Sequence, residues 1–553
     1  MVFSVGVFFF SCKKNSVNES NQSTASLTFI SASVNGVSNG SLTFTQVDSS
    51  SVSIACKFSA PLDSTSVNSN SIFLSGGGQA NPYLYFYSNN DSTLIIRTTA
   101  PLKALTAYSL VISQGIKSKG DSVLKKGVGI NIYTSIDSSD KFPQITDSAL
   151  LTLIEQQTFN YFWSDANSVS GMARERYSDA TTDALGGTGF GVMATVAAVN
   201  RGFISRTDAV TRLNTLTTFL STKCTRLHGA FSHWINGSTG ATIPFGSNNG
   251  ADIVETSYMM MGLLTARQYF NSNTDANEIA LRDSINSIYN AVEWTWFTQN
   301  GAANGLYWQY NPSYTSTSNI WSIPVVGWDE PLITYVLAAS SPTHAITKNI
   351  YDNGWAQNGA MKNGKKFYGY TLPLGPDYGG PLFFEQYSFQ GIDPHGLNDA
   401  YANYDSQTVN HSLINYSYCV VDPHSYYGYS SQCWGLTASD IQDGYNASSP
   451  TNDDGTIAPT AAISSLPYTP TQSMNALRFF YYKLGDKIWK PYGFIDAFNL
   501  TNIWFDNDCL AIDQGPQIVM IENYRTGLLW NLFMSCPEVK TGMTNLGFSS
   551  PNF

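Results

Sequence analysis

Thr146-Asp-Ser-Ala-Leu-Leu-Thr-Leu-Ile-Glu-Gln-Gln-Thr-Phe-Asn-Tyr-Phe-Trp163 is where the chain changes its period. Leu150, Leu151, Ile154, Phe159 and Phe162 recur at helical spacing, with Thr146 or Asp147 placed to cap the first turn. Upstream the period is two. Val52-Ser-Ile-Ala-Cys-Lys-Phe58, Tyr83-Leu-Tyr-Phe-Tyr87, Thr93-Leu-Ile-Ile-Arg97 and Tyr108-Ser-Leu-Val-Ile112 read as short strands, separated by turns such as Ser75-Gly-Gly-Gly78 and Ser88-Asn-Asn-Asp91. Strands at this spacing predict a β-sandwich over residues 27–136, followed by a linker over 137–146 around Ser138-Ser-Asp-Lys-Phe-Pro143. Downstream, apolar helical stretches are predicted at 191–200, 207–221, 252–270, 278–298, 330–339, 401–405, 410–421, 474–484 and 517–534. Long loops rich in Gly, Pro, Tyr and Trp separate them. About a dozen helices with such loops suit an (α/α)6 toroid over residues 147–553 better than a bundle with tight connections. The fold class expected is therefore mainly α, a toroid behind a small β-sandwich.

Composition narrows the function. Charged residues make up only 12% of the 553, and the net charge is −11. An acidic chain without a basic face is a poor partner for nucleic acid. The opening run Val2-Phe-Ser-Val-Gly-Val-Phe-Phe-Phe10 suits a signal-peptide core. Ser11-Cys12 reads as a loose lipobox, so residues 1–26 are expected to be a leader and tether. The protein would then be exported, to the periplasm or as an outer-membrane lipoprotein, and would meet the membrane only through a lipid on Cys12. The other six cysteines show no C-x-x-C spacing, so neither a zinc site nor any other metal or cofactor is expected.

Aromatics reach 14%, and their faces suit the C–H faces of sugar rings as well as protein cores. Glycosidic bond hydrolysis needs a proton donor with a raised pKa and a second carboxylate. Four places offer acids among aromatics and glycines. Gly250-Ala-Asp252-Ile-Val-Glu255 puts two acids on one face at a helix start, where capping is the favoured local explanation. Val326-Gly-Trp328-Asp-Glu330-Pro places an acid where desolvation would raise its pKa. Cys433-Trp-Gly-Leu-Thr-Ala-Ser-Asp440 leads into Asp443 and Asp453-Asp-Gly455, and Ala511-Ile-Asp513-Gln-Gly-Pro516 leads into Glu522-Asn-Tyr-Arg525.

These phrases, with Gln157-Thr-Phe-Asn-Tyr-Phe-Trp163, Gly187-Thr-Gly-Phe-Gly191, His228-Gly-Ala-Phe-Ser-His-Trp234, Val254-Glu-Thr256, Ser341-Pro-Thr-His344 and Tyr387-Ser-Phe389, resemble glycoside hydrolase family 144. The likeness runs in order through nearly all of residues 148–549. Phe58-Ser-Ala-Pro-Leu-Asp63 and Leu105-Thr-Ala-Tyr108-Ser-Leu resemble a bacterial Ig-like domain. The family resemblance implies an (α/α)6 barrel that cleaves β-1,2-glucan or its oligosaccharides with inversion, by endo action or by releasing sophorose. It places the cleft acids at Asp252, Glu255, Glu330 and Asp513. Glu330 is then the expected general acid and Asp513 the general base, with Asp252 and Glu255 holding sugar hydroxyls or water. His233, Trp234, Trp328, His344, Gln386, Tyr387, Trp434, Asp440 and Arg525 are candidates to bind substrate. Two departures stand out: Trp328-Asp-Glu330 replaces the family's Trp-Asn-Glu, and Asn248 replaces an acid. Hydrolysis of another linkage and glycan binding without catalysis remain the alternatives.

Overall fold

The computed structural model describes residues 26–245, 249–314 and 320–553. Cys12 and Asn248, and the expectations attached to them, lie outside the described residues. The chain divides into two compact units between Asp137 and Ser138.

The first unit is two sheets around one core. Strands β1 (Phe29–Val34), β3 (Ser53–Phe58), β7 (Thr93–Thr98) and β6 (Tyr83–Ser88) form one sheet in that order. The other is β2 (Thr43–Val47), β9 (Val128–Thr134), β8 (Ala107–Ile112), β4 (Ile72–Gly76) and β5 (Gln79–Ala80). All pairings are antiparallel except β2 with β9. Alternation does the sorting: Ile54, Cys56, Leu94 and Ile96 from one sheet meet Leu110, Ile112, Ile130 and Ile132 from the other.

The second unit is helical. Helix α1 (Asp147–Trp163) is capped by Thr146, whose hydroxyl accepts from the Ala149 N–H at 3.3 Å. Then come α2 (Leu185–Arg201), α3 (Arg206–Thr222), α4 (Ile253–Tyr269), α5 (Ala276–Asn290) and α6 (Leu332–Ser340). After them follow α7 (Tyr404–Val421), α8 (Pro459–Ser464), α9 (Pro470–Ile488), α10 (Ala511–Thr526), α11 (Leu528–Met534) and α12 (Pro537–Leu546). Helices α2, α4, α6 and α10 are buried along most of their length, whereas α3, α5 and α9 bury one face. A helix apolar all round must lie inside, and α2 packs on both α4 and α10 while α4 also packs on α6. The α2–α4 contact is backbone to backbone. A Cβ on Gly189 would stand 2.3 Å from the Tyr258 carbonyl oxygen, and one on Gly262 would stand 2.1 Å from that of Gly189.

Helix ends depart from the sequence expectation where glycine hides them. Helix α2 starts at Leu185, ahead of the predicted 191, because Gly186, Gly187 and Gly189 are low in helix propensity but needed for contact. The predicted 278–298 helix stops at Asn290, with a separate 3-10 turn at Trp294–Thr298. The predicted 517–534 helix is two helices divided at Gly527, whose φ is +68°. Residues 401–403 precede the helix that begins at Tyr404.

Candidate active site

The N-termini of the four inner helices meet at one cavity of about 490 Å³. Gly187 of α2, Glu255 and Tyr258 of α4, Glu330 just ahead of α6 and Ile512 of α10 all line it. Short strands and loops complete the wall: Glu175-Arg176, His233-Trp234, Trp308-Gln309 with Ile323, Phe383 with Tyr387, and Ala438 with Tyr445.

Several acids at this cavity are kept from ionising easily. Burial raises Glu330 from 4.5 to about 7, with Glu255 and Asp252 adding to the effect. Its neighbour Asp329 is raised well above its usual value by burial and by Glu330, and its Oδ1 is buried without a partner. Burial likewise raises Asp513 from 3.8 to about 7, against a hydrogen bond with Asp496 that lowers it. Glu255 is raised by burial, although the His233 charge and the Gly186 N–H, 2.7 Å from Oε2, pull it down. Around Asp513 the surface is crowded with carboxylates. Arg176 pairs with Asp440 at 2.9 Å and with Glu175 at 2.9 Å, and lies 3.5 Å from Asp508.

Asp252 does something other than expected. It is fully buried at the N-cap of α4, where Oδ1 accepts from the Val254 and Glu255 N–H groups at 3.0 and 2.9 Å. Its Oδ2 takes His233 Nδ1 at 2.9 Å and Trp308 Nε1 at 3.1 Å. Both oxygens are thus spent on protein groups, and Asp252 orients two cavity side chains. Burial alone would lower His233, but Glu255 and Asp252 outweigh it and raise the imidazole from 6.5 to about 9. Phe245 stacks on that ring with centroids 4.1 Å apart.

Of the other predicted residues, His233, Trp234 and Tyr387 line the cavity, and Asp440 lies beside it through Arg176. Five do not. Trp328 is 5% exposed and donates to Glu385 at 3.0 Å within a cluster with Trp355, Phe389 and Tyr404. Trp434 is fully buried against Tyr416. Gln386 ties the Ala461 carbonyl at 2.9 Å. His344 lies beyond the C-terminus of α6, about 13 Å of helix from Glu330. Arg525 is on the last turn of α10, about 18 Å along it from Asp513, and pairs with Glu155. Their polar groups find partners within the protein, through hydrogen bonds for Trp328, Trp434, Gln386 and His344 and through an ion pair for Arg525.

The sequence reading overlooked Glu175, Arg176, Trp308, Phe383, Tyr445 and, beside them, Asp496. The last had a signal: an acid inside the apolar run Gly493-Phe-Ile-Asp-Ala-Phe498 is too costly to bury without a task. Among the described residues, Asp440, Asp496 and Asp506 bring carboxylate oxygens within 4.8 Å of one another, a spacing that suits a cation. Arg176 already balances Asp440 there. All six described cysteines are buried and unpaired.

Known proteins resemble the chain throughout. The profile of the bacterial Ig-like domain matches residues 15–131, and that of the family described as "Putative glucoamylase" matches residues 322–537. An exo-β-1,2-glucooligosaccharide sophorohydrolase (non-reducing end) of Parabacteroides distasonis is 43% identical over 431 residues; the match covers 74% of this chain and 59% of that protein's length. The endo-β-1,2-glucanase of Chitinophaga pinensis, solved with sophorotriose and glucose, is 47% identical with a TM-score of 0.71, covering 74% of this chain and all of that one. A β-1,2-glucanase of Parabacteroides distasonis is 35% identical with a TM-score of 0.70, covering 94% of this chain and 73% of the other.

Proposed function

The chain belongs to glycoside hydrolase family 144, and on that premise we propose that it hydrolyses β-1,2-linked glucan or its oligosaccharides. Glu330 is the general acid and Asp513 the general base. The observation that carries the reading is that two carboxyl groups, one lining the cavity and one next to its wall, both titrate at about 7. Near neutral pH one can hold a proton while the other has lost it. Glu330 protonates the leaving glycosidic oxygen as the C1–O bond breaks. Asp513 takes a proton from the water whose oxygen bonds to C1 from the opposite face, so the anomeric centre inverts. Glu255 and the His233 imidazolium hold sugar hydroxyls, and Trp234, Trp308 and Tyr387 offer apolar faces to the rings.

Two features support the finer readings. Four neighbouring inner helices direct their N-termini at one cavity, as the inner ring of an (α/α)6 toroid would. The names of the relatives include an endo-acting enzyme and an exo-acting one, so either product pattern belongs to the proposal. Export with a lipid on Cys12 also belongs to it, and radiolabelled palmitate incorporation that Cys12→Ser abolishes is the expected result.

The direct test is a product screen on β-1,2-glucan, laminarin, starch and arabinan oligosaccharides, with the anomer of the first product read by proton NMR. Cleavage of β-1,2-glucan to an α-configured product is expected; cleavage of starch alone would refute the linkage, and a β-configured product the inversion.

A further inference from the structure

Asp496 has no part in the mechanism above, yet it is fully buried against one of its two acids. Its Oδ2 accepts from the Asp440 N–H at 2.7 Å, and its own N–H donates to the Asp508 carbonyl at 2.9 Å, so the side chain cannot swing away. Its Oδ1 is buried with no donor reaching it, and so is Oδ2 of Asp513. The two carboxyls nevertheless hydrogen-bond each other. Two carboxylate oxygens can do so only through a shared proton, in a strong O–H···O⁻ bond.

The surroundings decide where that proton sits. Arg176 is the cation here, and it is engaged by Asp440, Glu175 and Asp508. Asp506, Cys509 and the Tyr445 and Tyr387 hydroxyls are the other titratable groups facing the pair, and none brings positive charge. Asp496 is the deeper of the two, at 0% exposure against 4% for Asp513. Burial and the Asp513 charge together raise Asp496 well above its ordinary value, against the one Asp440 N–H that lowers it, so Asp496 keeps the proton.

We propose that Asp496 is a positioning residue for the hydrolysis: as a neutral carboxylic acid it donates a hydrogen bond to Asp513, fixing that carboxylate's orientation and keeping it ionised for the base role. The proposal rests on the assignment of Asp513 as base. Asparagine at 496 keeps a donor of the same shape, whereas leucine removes it.

Asp496→Asn and Asp496→Leu are therefore made in the full chain and compared in the pH profile of kcat/KM. Asp496→Asn is expected to retain the acidic limb and most of kcat. Asp496→Leu is expected to move the acidic limb up by about one to two pH units and to lower kcat roughly 10- to 100-fold, with KM little changed. An unmoved limb in Asp496→Leu, or equal damage from both variants, overturns the proposal. The infrared difference spectrum at pH 7 between wild type and Asp496→Asn reads the proton whatever Asp513 does and however Asp496→Leu folds. A protonated-carboxyl band lost in Asp496→Asn supports the proposal, and its absence from wild type overturns it. Chelation that abolishes activity, with calcium restoring wild type but not Asp496→Asn, overturns it in favour of a bound cation. Wild-type activity in Asp513→Asn would instead refute the base assignment, leaving the infrared result standing.

Discussion

A pH profile tests the proposed acid–base pair most severely, because burial of the two carboxyls predicts both of its limbs. Glu330 and Asp513 each titrate at about 7. At pH 7 half the molecules carry the Glu330 proton and half have lost that of Asp513, so about a quarter are productive. At pH 5 Asp513 is about 99% protonated, and at pH 9 Glu330 is about 99% ionised, so each leaves roughly 1% productive. The expected profile is a narrow bell centred near pH 7 that falls roughly 25-fold two units away on either side. The ordinary values of 4.5 and 3.8 would leave only about 0.3% of Glu330 protonated at pH 7. Burial thus raises the productive fraction by nearly two orders of magnitude. The assay is kcat/KM from reducing-end release on β-1,2-glucan between pH 4 and 10, repeated for Glu330→Gln, which should lose about 10²- to 10⁴-fold and its alkaline limb. An acidic limb near pH 4, or a plateau that persists past pH 9, would refute the reasoning, since one carboxyl would then be solvated as in water.

Other consequences are more local. Gly186→Ala sets a Cβ 2.6 Å from Glu255 Oε2 and 2.8 Å from the Tyr258 ring; it should cost about 1–3 kcal/mol in urea unfolding and lower kcat as well. His233, raised from 6.5 to about 9, contributes stability that is complete below pH 6.5 and lost as pH rises through 9, at most about 3 kcal/mol. Urea titrations at pH 6 and pH 10 should show that loss in wild type and a smaller one in His233→Gln; equal slopes would remove the charge from His233. Arg525→Met leaves Glu155 without its nearest cation, which should cost about 3–5 kcal/mol while KM for β-1,2-glucan stays unchanged.

What the sequence made legible follows from how each signal is encoded. Periodicity is local, so the change of period at Thr146 and the alternation of the strands could be read directly. Glycine in α2 defeats that reading because its value lies in another helix: Gly189 and Gly262 matter only when α2 and α4 touch. The four carboxylates were singled out as a set by the family resemblance, because local pattern alone left capping as an adequate explanation for most of them. The aromatics were sorted less well, since Trp328 and Trp308 both give their indole N–H to a buried carboxylate, Glu385 and Asp252, and differ only in that Trp308 lines the cavity. Arg525 and Arg176 pose the same problem. Each neutralises buried acid, and only the length of α10 tells that one of them is remote from the cavity.

Capping and catalysis were competing explanations for Asp252 and Glu255; the structure shows Asp252 as the cap of α4 and Glu255 in the cavity wall. Helix N-termini attract carboxylates by about 0.3–1 kcal/mol, up to about 2 in favourable buried sites. That attraction alone would hold such acids below their ordinary pKa, yet Glu330 is raised from 4.5 and Asp513 from 3.8 to about 7; burial wins. What separates the four acids is how many of their oxygens the fold has already used. Asp252 spends both on the α4 cap, His233 and Trp308, and so serves as a brace. Glu255 spends one on the Gly186 N–H and retains the other. Among the described residues, no hydrogen bond from another residue's backbone N–H reaches the side chain of Glu330 or Asp513. A carboxyl left at the positive end of a helix, deprived of water and of the cap it could have made, is one whose proton remains available for exchange with a substrate.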